Sequence, residues 1–111
     1  MKLDNLKFDA NGLIPAVIQD SDTLEVLMVG WMNDTSIRMT LEQNQVVFWS
    51  RSRSEIWLKG VTSGNYLNLV NIMVYCDRDT LLIQVHPQGP ACHTGNRTCF
   101  YRNYFIEGDI E

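Results

Sequence analysis

Leu13-Ile14-Pro15-Ala16-Val17-Ile18-Gln19 and Leu24-Glu25-Val26-Leu27-Met28-Val29-Gly30-Trp31 flank the polar cluster Asp20-Ser21-Asp22-Thr23. Two apolar runs around a turn-forming group predict a β-hairpin. Strand signals continue in Val46-Val47-Phe48-Trp49, in Ile56-Trp57-Leu58 and in Leu67 to Tyr75. The last run is apolar at 67 and 69, then at 70, 72 and 74, and this slip of one predicts a bulge. Leu81, Ile83 and Val85 alternate with Leu82, Gln84 and His86, the period of a half-buried strand, and Phe100 to Ile106 reads as a closing strand.

One helix interrupts this pattern. Asn33-Asp34-Thr35-Ser36 offers several N-caps, and Ile37 and Leu41 stack at i, i+4 behind them, predicting about ten helical residues that end near Asn44. With about seven strands and a single helix, the expected class is mainly β (α+β): a curled antiparallel sheet or pseudo-barrel capped by one short helix.

The 111 residues, 45% hydrophobic and 20% charged, suit a single globular domain over 1–111 that buries a core without disulfides. The longest nearly apolar stretch, Val26 to Met32, is far short of the about twenty residues of a membrane span. The first residues lack the apolar centre and cleavage site of a signal peptide, so a cytoplasmic location is expected. A net charge of −4 argues against nucleic acid as a partner. The charge is unevenly placed: residues 45–105 carry six bases against three acids, which points to a receptor for a small anion.

Three segments carry candidate chemistry. In Cys76-Asp77-Arg78-Asp79, a strand that stayed extended would place Asp77 and Asp79 on one face and Cys76 on the other. Soft thiolates suit zinc and hard carboxylates suit magnesium, so one segment could serve two metals; the alternative is a polar turn with a buried cysteine. Cys92-His93-Thr94-Gly95-Asn96-Arg97-Thr98-Cys99 can fold a loop around one ion. Together with Cys76 it offers three thiolates, which favours an open, water-bearing zinc site or one completed by His93 or His86. The run from Ser50 to Asn65 holds Arg51, Arg53 and Lys59 for phosphate, with Thr62, Ser63 and Gly64 as further donors. Trp57 within it suits either base stacking or the core. The spacing is not that of a P-loop.

Taken in this order, the segments resemble the phosphoribosyl-AMP cyclohydrolase family of histidine biosynthesis. The matching residues are Trp31-Met32-Asn33, Phe48-Trp49-Ser50-Arg51-Ser52-Arg53, Trp57-Leu58-Lys59-Gly60, Thr62-Ser63-Gly64, Cys76-Asp77-Arg78-Asp79, Gly89-Pro90-Ala91-Cys92-His93-Thr94-Gly95 and Cys99-Phe100-Tyr101. The resemblance covers nearly the whole chain and looks like the form without a second, pyrophosphohydrolase domain. It implies a homodimer whose zinc is held by Cys76, Cys92 and Cys99, the first reaching across from the other subunit. It also implies magnesium on an Asp-Cys-Asp-x-Asp cluster, of which Asp77 and Asp79 are present while Tyr75 replaces the first aspartate. The expected reaction on the nucleotide substrate is hydrolytic opening of the adenine ring between N1 and C6, by water whose pKa zinc lowers. His93 is the candidate proton carrier, because it sits beside a thiol ligand and histidine is the side chain best suited to proton transfer near neutral pH, while His86 is read as structural. Two other classes compete. A zinc-stabilised binding module would have the cysteines but no need of the basic segment. A zinc nucleobase deaminase would carry His-x-Glu and Pro-Cys-x-x-Cys, which are absent.

Overall fold

A computed structural model describes residues 5–105. β1 (Ile14–Asp20) and β2 (Val26–Met32) form the expected antiparallel hairpin. Asp20 shapes its turn: the Oδ1 atom accepts the N–H groups of Asp22 and Thr23, and the carbonyl accepts that of Leu24. The pairing is Ile18 with Met28 and then Gln19 with Val26, so Leu27 is an extra, bulged residue.

Asn33 starts α1 (Asp34–Gln43) through a reciprocal capping box: its side chain accepts the Ser36 N–H, and the Ser36 hydroxyl accepts the Asn33 N–H. Asn44 ends the helix in the left-handed region at φ 58°, a conformation its short polar side chain tolerates. The buried Thr40 hydroxyl donates to Ser36 and accepts the Val47 N–H, fixing the helix to the start of β3 (Val47–Ser50). β4 (Glu55–Leu58), β5 (Leu67–Val74) and β6 (Leu81–Pro87) follow. In β5 the register shifts between Leu69 and Asn71, where the apolar period slips.

The sheet order is β4-β3-β2-β1-β6-β5. All neighbours are antiparallel except β1 and β6, which run parallel, so the sheet is mixed rather than wholly antiparallel. The cause is the route of the chain. It steps outward from β1 to β4, then crosses back through residues 59–66 to lay the β5–β6 hairpin on the remaining edge of β1. Parallel pairing sets Ala16 beside Leu81 and Ile18 beside Ile83, aligning the buried residues of both strands. Ile18, Leu81 and Ile83, fully removed from water, each contribute about 1.5–3 kcal/mol.

The sheet curls until its two ends approach. Val46 N–H donates to the Leu67 carbonyl, Leu69 N–H to that of Asn44, and Lys59 N–H to that of Val46. Residues 44–46 thereby bridge the end of β4 and the start of β5, giving a half-barrel around Ile14, Ile18, Leu27, Phe48, Leu67 and Ile83. Gly30 leaves room for the Phe48 ring, since a Cβ there would lie 2.6 Å from two ring carbons.

The expected closing strand is absent over residues 100–105, and Ile106 lies outside the described residues. β1 and β3 already occupy both edges of β2, so the incoming chain makes one backbone bond there, Cys99 N–H to the Leu27 carbonyl, and turns away. Among the described residues, no helix is long and apolar enough to cross a membrane.

Candidate active site

Two loops meet at one end of the half-barrel. The first follows β4. Gly60, at φ 97°, lets the chain fold so tightly that a Cβ would sit 2.6 Å from the Tyr66 nitrogen, and Gly64 N–H closes the turn on the Gly60 carbonyl. The second follows β6. Ala91 N–H donates to Arg97, Cys92 N–H to Asn96, and Gly95 N–H back to Cys92, making a tight excursion that returns Cys99 to Cys92. Lys59 joins the loops: it is only 8% exposed, and its Nζ donates to the Ala91 carbonyl at 2.6 Å.

Between the loops lies a cavity of about 340 Å³ whose walls include Trp57, Lys59, Thr62, Ser63, Cys92 and His93. The Thr94 hydroxyl donates to the Cys92 sulfur at 3.0 Å and accepts from the Asn96 amide. That hydroxyl, with the Thr94 N–H, lowers the Cys92 thiol below the ordinary range. Partial desolvation of its sulfur and then the neighbouring Cys92 push the thiol of the otherwise exposed Cys99 up. The pair is therefore graded, with Cys92 the readier thiolate. His93 is exposed at the cavity wall.

The basic segment is divided rather than continuous. Arg51 and Arg53 line a second cleft of about 400 Å³ with Trp31, Phe48, Ser50 and Ser52, and Trp57 lies in the walls of both. The Arg51 guanidinium stacks 4.3 Å from the centre of the Trp31 ring. Arg53 meets Glu55 in an exposed pair at 3.5 Å, a contact worth little in itself. Trp57 packs on the core against Phe48, with ring centres 5.4 Å apart, and also lines both clefts. Lys59, expected on a phosphate, has its ammonium turned to the loop backbone. His86 contacts Ser21 and Asp22 on the surface.

Residues 76–79 do not continue the strand. β5 stops at Val74, Arg78 N–H returns to the Tyr75 carbonyl, and Arg78 takes φ 65°. The antiparallel partner β6 begins at Leu81, so the chain has to reverse here, and the alternation assumed for Cys76, Asp77 and Asp79 fails. All three are exposed on this turn. Cys76 borders an apolar depression of about 420 Å³ walled by Val17, Met73, Val74, Tyr75 and Leu82.

The donor chemistry bears on both metals. Cys92 and Cys99 present two soft donors side by side, which fits zinc, while Cys76 lies apart at the hairpin turn. Among the described residues, no three cysteine, histidine or acidic side chains converge within one chain. Asp77 and Asp79 offer two exposed carboxylates on one turn, a set that fits a magnesium ion retaining most of its waters.

The sequence places Asp20 in the hairpin turn and Arg97 in the cysteine loop but does not join them. Asp20 is 4% exposed, and its Oδ2 accepts from Arg97, which also bonds Glu25. Burial raises the Asp20 carboxyl, but the Asp22 N–H, Arg97 and the Thr23 N–H more than offset it and hold the group below its usual range. A signal existed: Asp20 follows Ile14, Ala16 and Ile18 on the buried face of β1, where a carboxylate needs a partner.

The profile of the family described as phosphoribosyl-AMP cyclohydrolase matches residues 28–101. The chain is 50% identical to the phosphoribosyl-AMP cyclohydrolase of Chlorobium chlorochromatii, over 98% of this chain and 80% of that protein. It is 52% identical to the protein of the same name from Chlorobaculum tepidum, over 90% of this chain and 73% of the other. A histidine biosynthesis bifunctional protein of Caldanaerobacter subterraneus is 54% identical over 92% of this chain, which spans 50% of that longer protein.

Proposed function

Since this chain belongs to the phosphoribosyl-AMP cyclohydrolase family, we infer that it opens the adenine ring of phosphoribosyl-AMP in histidine biosynthesis, as a hydrolase acting on a cyclic amidine. The reading rests above all on one cavity that holds Cys92, His93, Thr62 and Ser63 and shares Trp57 with the arginine cleft. A substrate with two phosphates and a flat base between them matches two polar clefts joined by an aromatic side chain. Arg51 and Arg53, with Ser50 and Ser52, take one phosphate; Thr62, Ser63 and the Gly64 loop take the other; Trp57 stacks on the base.

Ring opening adds water to C6 and breaks the N1–C6 bond, so one proton must leave the water and one must reach N1. His93 performs both transfers from the cavity wall. Lys59 keeps the second loop seated against the first, holding Cys92 and His93 at the base. Cys92 and Cys99, together with Cys76 of a second copy, would hold zinc, which when bound would supply the Lewis acidity that makes water nucleophilic near neutral pH. Asp77 and Asp79 would hold magnesium, which would neutralise substrate phosphate charge. Because Tyr75 supplies no carboxylate, Tyr75→Asp should lower the magnesium concentration that gives half-maximal rate. An unchanged titration would assign the two aspartates to the turn alone.

The direct test follows ring opening by ultraviolet absorbance with phosphoribosyl-AMP and purified protein. A folded, zinc-loaded protein that leaves the spectrum unchanged would be a zinc-stabilised binding module instead. Within the enzyme, Arg53→Ala should cost substrate binding about 1.5–3 kcal/mol, seen as a KM raised by about 10- to 150-fold with zinc content intact. Unchanged KM and kcat would reduce Arg53 to its surface pair with Glu55.

A further inference from the structure

The loop that carries both Cys92 and Cys99 is anchored to the β1–β2 hairpin at three consecutive residues. Arg97 spans Asp20 and Glu25 with two different guanidinium nitrogens and approaches the Thr23 hydroxyl. The Thr98 hydroxyl donates to the Val26 carbonyl at 2.7 Å and reaches that of Leu27 at 3.2 Å. Cys99 N–H donates to the Leu27 carbonyl at 2.7 Å. Leu27 is the bulged residue of β2, so its backbone stands out of the ladder, and bulges commonly re-aim groups beside functional sites.

Without this anchor nothing in the regular sheet fixes Cys99. Residues 100–105 form no strand, and Cys92 is held from the other side by Ala91 through Lys59. Arg97 is the one member whose charge answers the buried Asp20 carboxylate. Removing the guanidinium strips that carboxylate of its cationic partner and leaves the loop fastened to β2 only by Thr98 and Cys99, with nothing tying it to the hairpin turn. The planar fork matters as much as the charge, since it meets two acids at once.

We propose that Arg97 is a positioning residue, which by clamping the 92–99 loop to Asp20 and Glu25 holds Cys99 beside Cys92 in the geometry the metal requires. The proposal rests on the reading of these thiols as zinc ligands. It assigns a role to a side chain that touches neither metal nor substrate, and partners of that kind usually contribute about 10- to 100-fold to metal affinity.

The test measures zinc affinity by competition with a chromophoric chelator, alongside amide exchange of the zinc-free full-length protein. Arg97→Ala should weaken zinc by about 10- to 100-fold and speed exchange of the Cys99 N–H by at least about tenfold, leaving the core Ile83 N–H unchanged. Excess zinc should restore kcat. Arg97→Lys should recover part of the affinity, since an ammonium can meet Asp20 but not both acids. Asp20→Asn should weaken zinc too, and adding it to Arg97→Ala should cost little more. Wild-type zinc affinity and Cys99 exchange in a folded Arg97→Ala protein would overturn the proposal. Equal acceleration at Ile83 would also do so, by making Arg97 a general stabiliser. A wild-type protein that binds no zinc would refute the metal reading instead, and the Cys99 exchange rate would still decide whether Arg97 is the clamp.

Discussion

Cys99→Ser is expected to remove tight zinc binding and to lower ring opening by at least about three orders of magnitude, the scale lost when an electrophilic or nucleophile-generating element of a site disappears. A thiol ionises within about two units of neutral pH and gives zinc a soft anionic donor. A serine hydroxyl stays neutral there and is a hard, weak donor. The substitution is close to isosteric and falls on an exposed residue, so the fold should tolerate it. Cys92→Ser should have the same functional effect but is the less clean variant, because Cys92 is buried and its sulfur accepts the Thr94 hydroxyl. Elemental analysis should find about one zinc per wild-type chain and almost none in either variant, with the thermal transition of Cys99→Ser compared at equal zinc. A zinc-free Cys99→Ser protein with full activity would sink the metal-dependent mechanism and leave ring opening to His93 and the loop backbone alone.

Much of the fold is legible because local and tertiary demands agree. Asn33 and Ser36 cap the helix by a purely local exchange of hydrogen bonds, so four residues of sequence suffice to place its start. The slip at Val70 becomes a bulge because a buried face enforces the period on either side of it. The alternation of Leu81, Ile83 and Val85 identifies a strand but is blind to direction. It fits a parallel neighbour as well as an antiparallel one, and only the crossing of residues 59–66 decides. Phe100 to Ile106 reads as a closing strand in sequence, but a strand needs a vacant edge, and β2 has none. The candidate site divides in the same way. Residues near in sequence, such as Cys92, His93 and Cys99, fall on one tight loop, as their spacing suggests. Lys59 to Ala91 and Arg97 to Asp20 join positions tens of residues apart, and what hints at them is the burial of a charge that must be answered.

Mixing Cys76→Ser with Cys92→Ser protein is expected to restore activity from two inactive samples. Within one chain the three thiols occupy two places. Cys92 and Cys99 adjoin on the 92–99 loop, whereas Cys76 stands at the turn between β5 and β6, bordered by Val17, Met73, Val74 and Leu82. Met73, Val74 and Tyr75 are 39%, 39% and 58% exposed, an apolar margin suited to burial against a second copy. In a symmetric dimer each site would combine Cys76 of one subunit with Cys92 and Cys99 of the other. A mixed dimer then has one site with both substitutions and one with all three thiols intact. Random exchange makes about half of the dimers mixed, so about a quarter of all sites, and about a quarter of the wild-type rate, should return. Zinc should rise in the same proportion, and the recovery should follow the kinetics of subunit exchange. A zinc site built within each chain predicts no recovery at any mixing time, because every chain would keep its own defect. Persistent inactivity after demonstrated exchange would therefore exclude the shared site, and so would a protein that is monomeric and active at assay concentration.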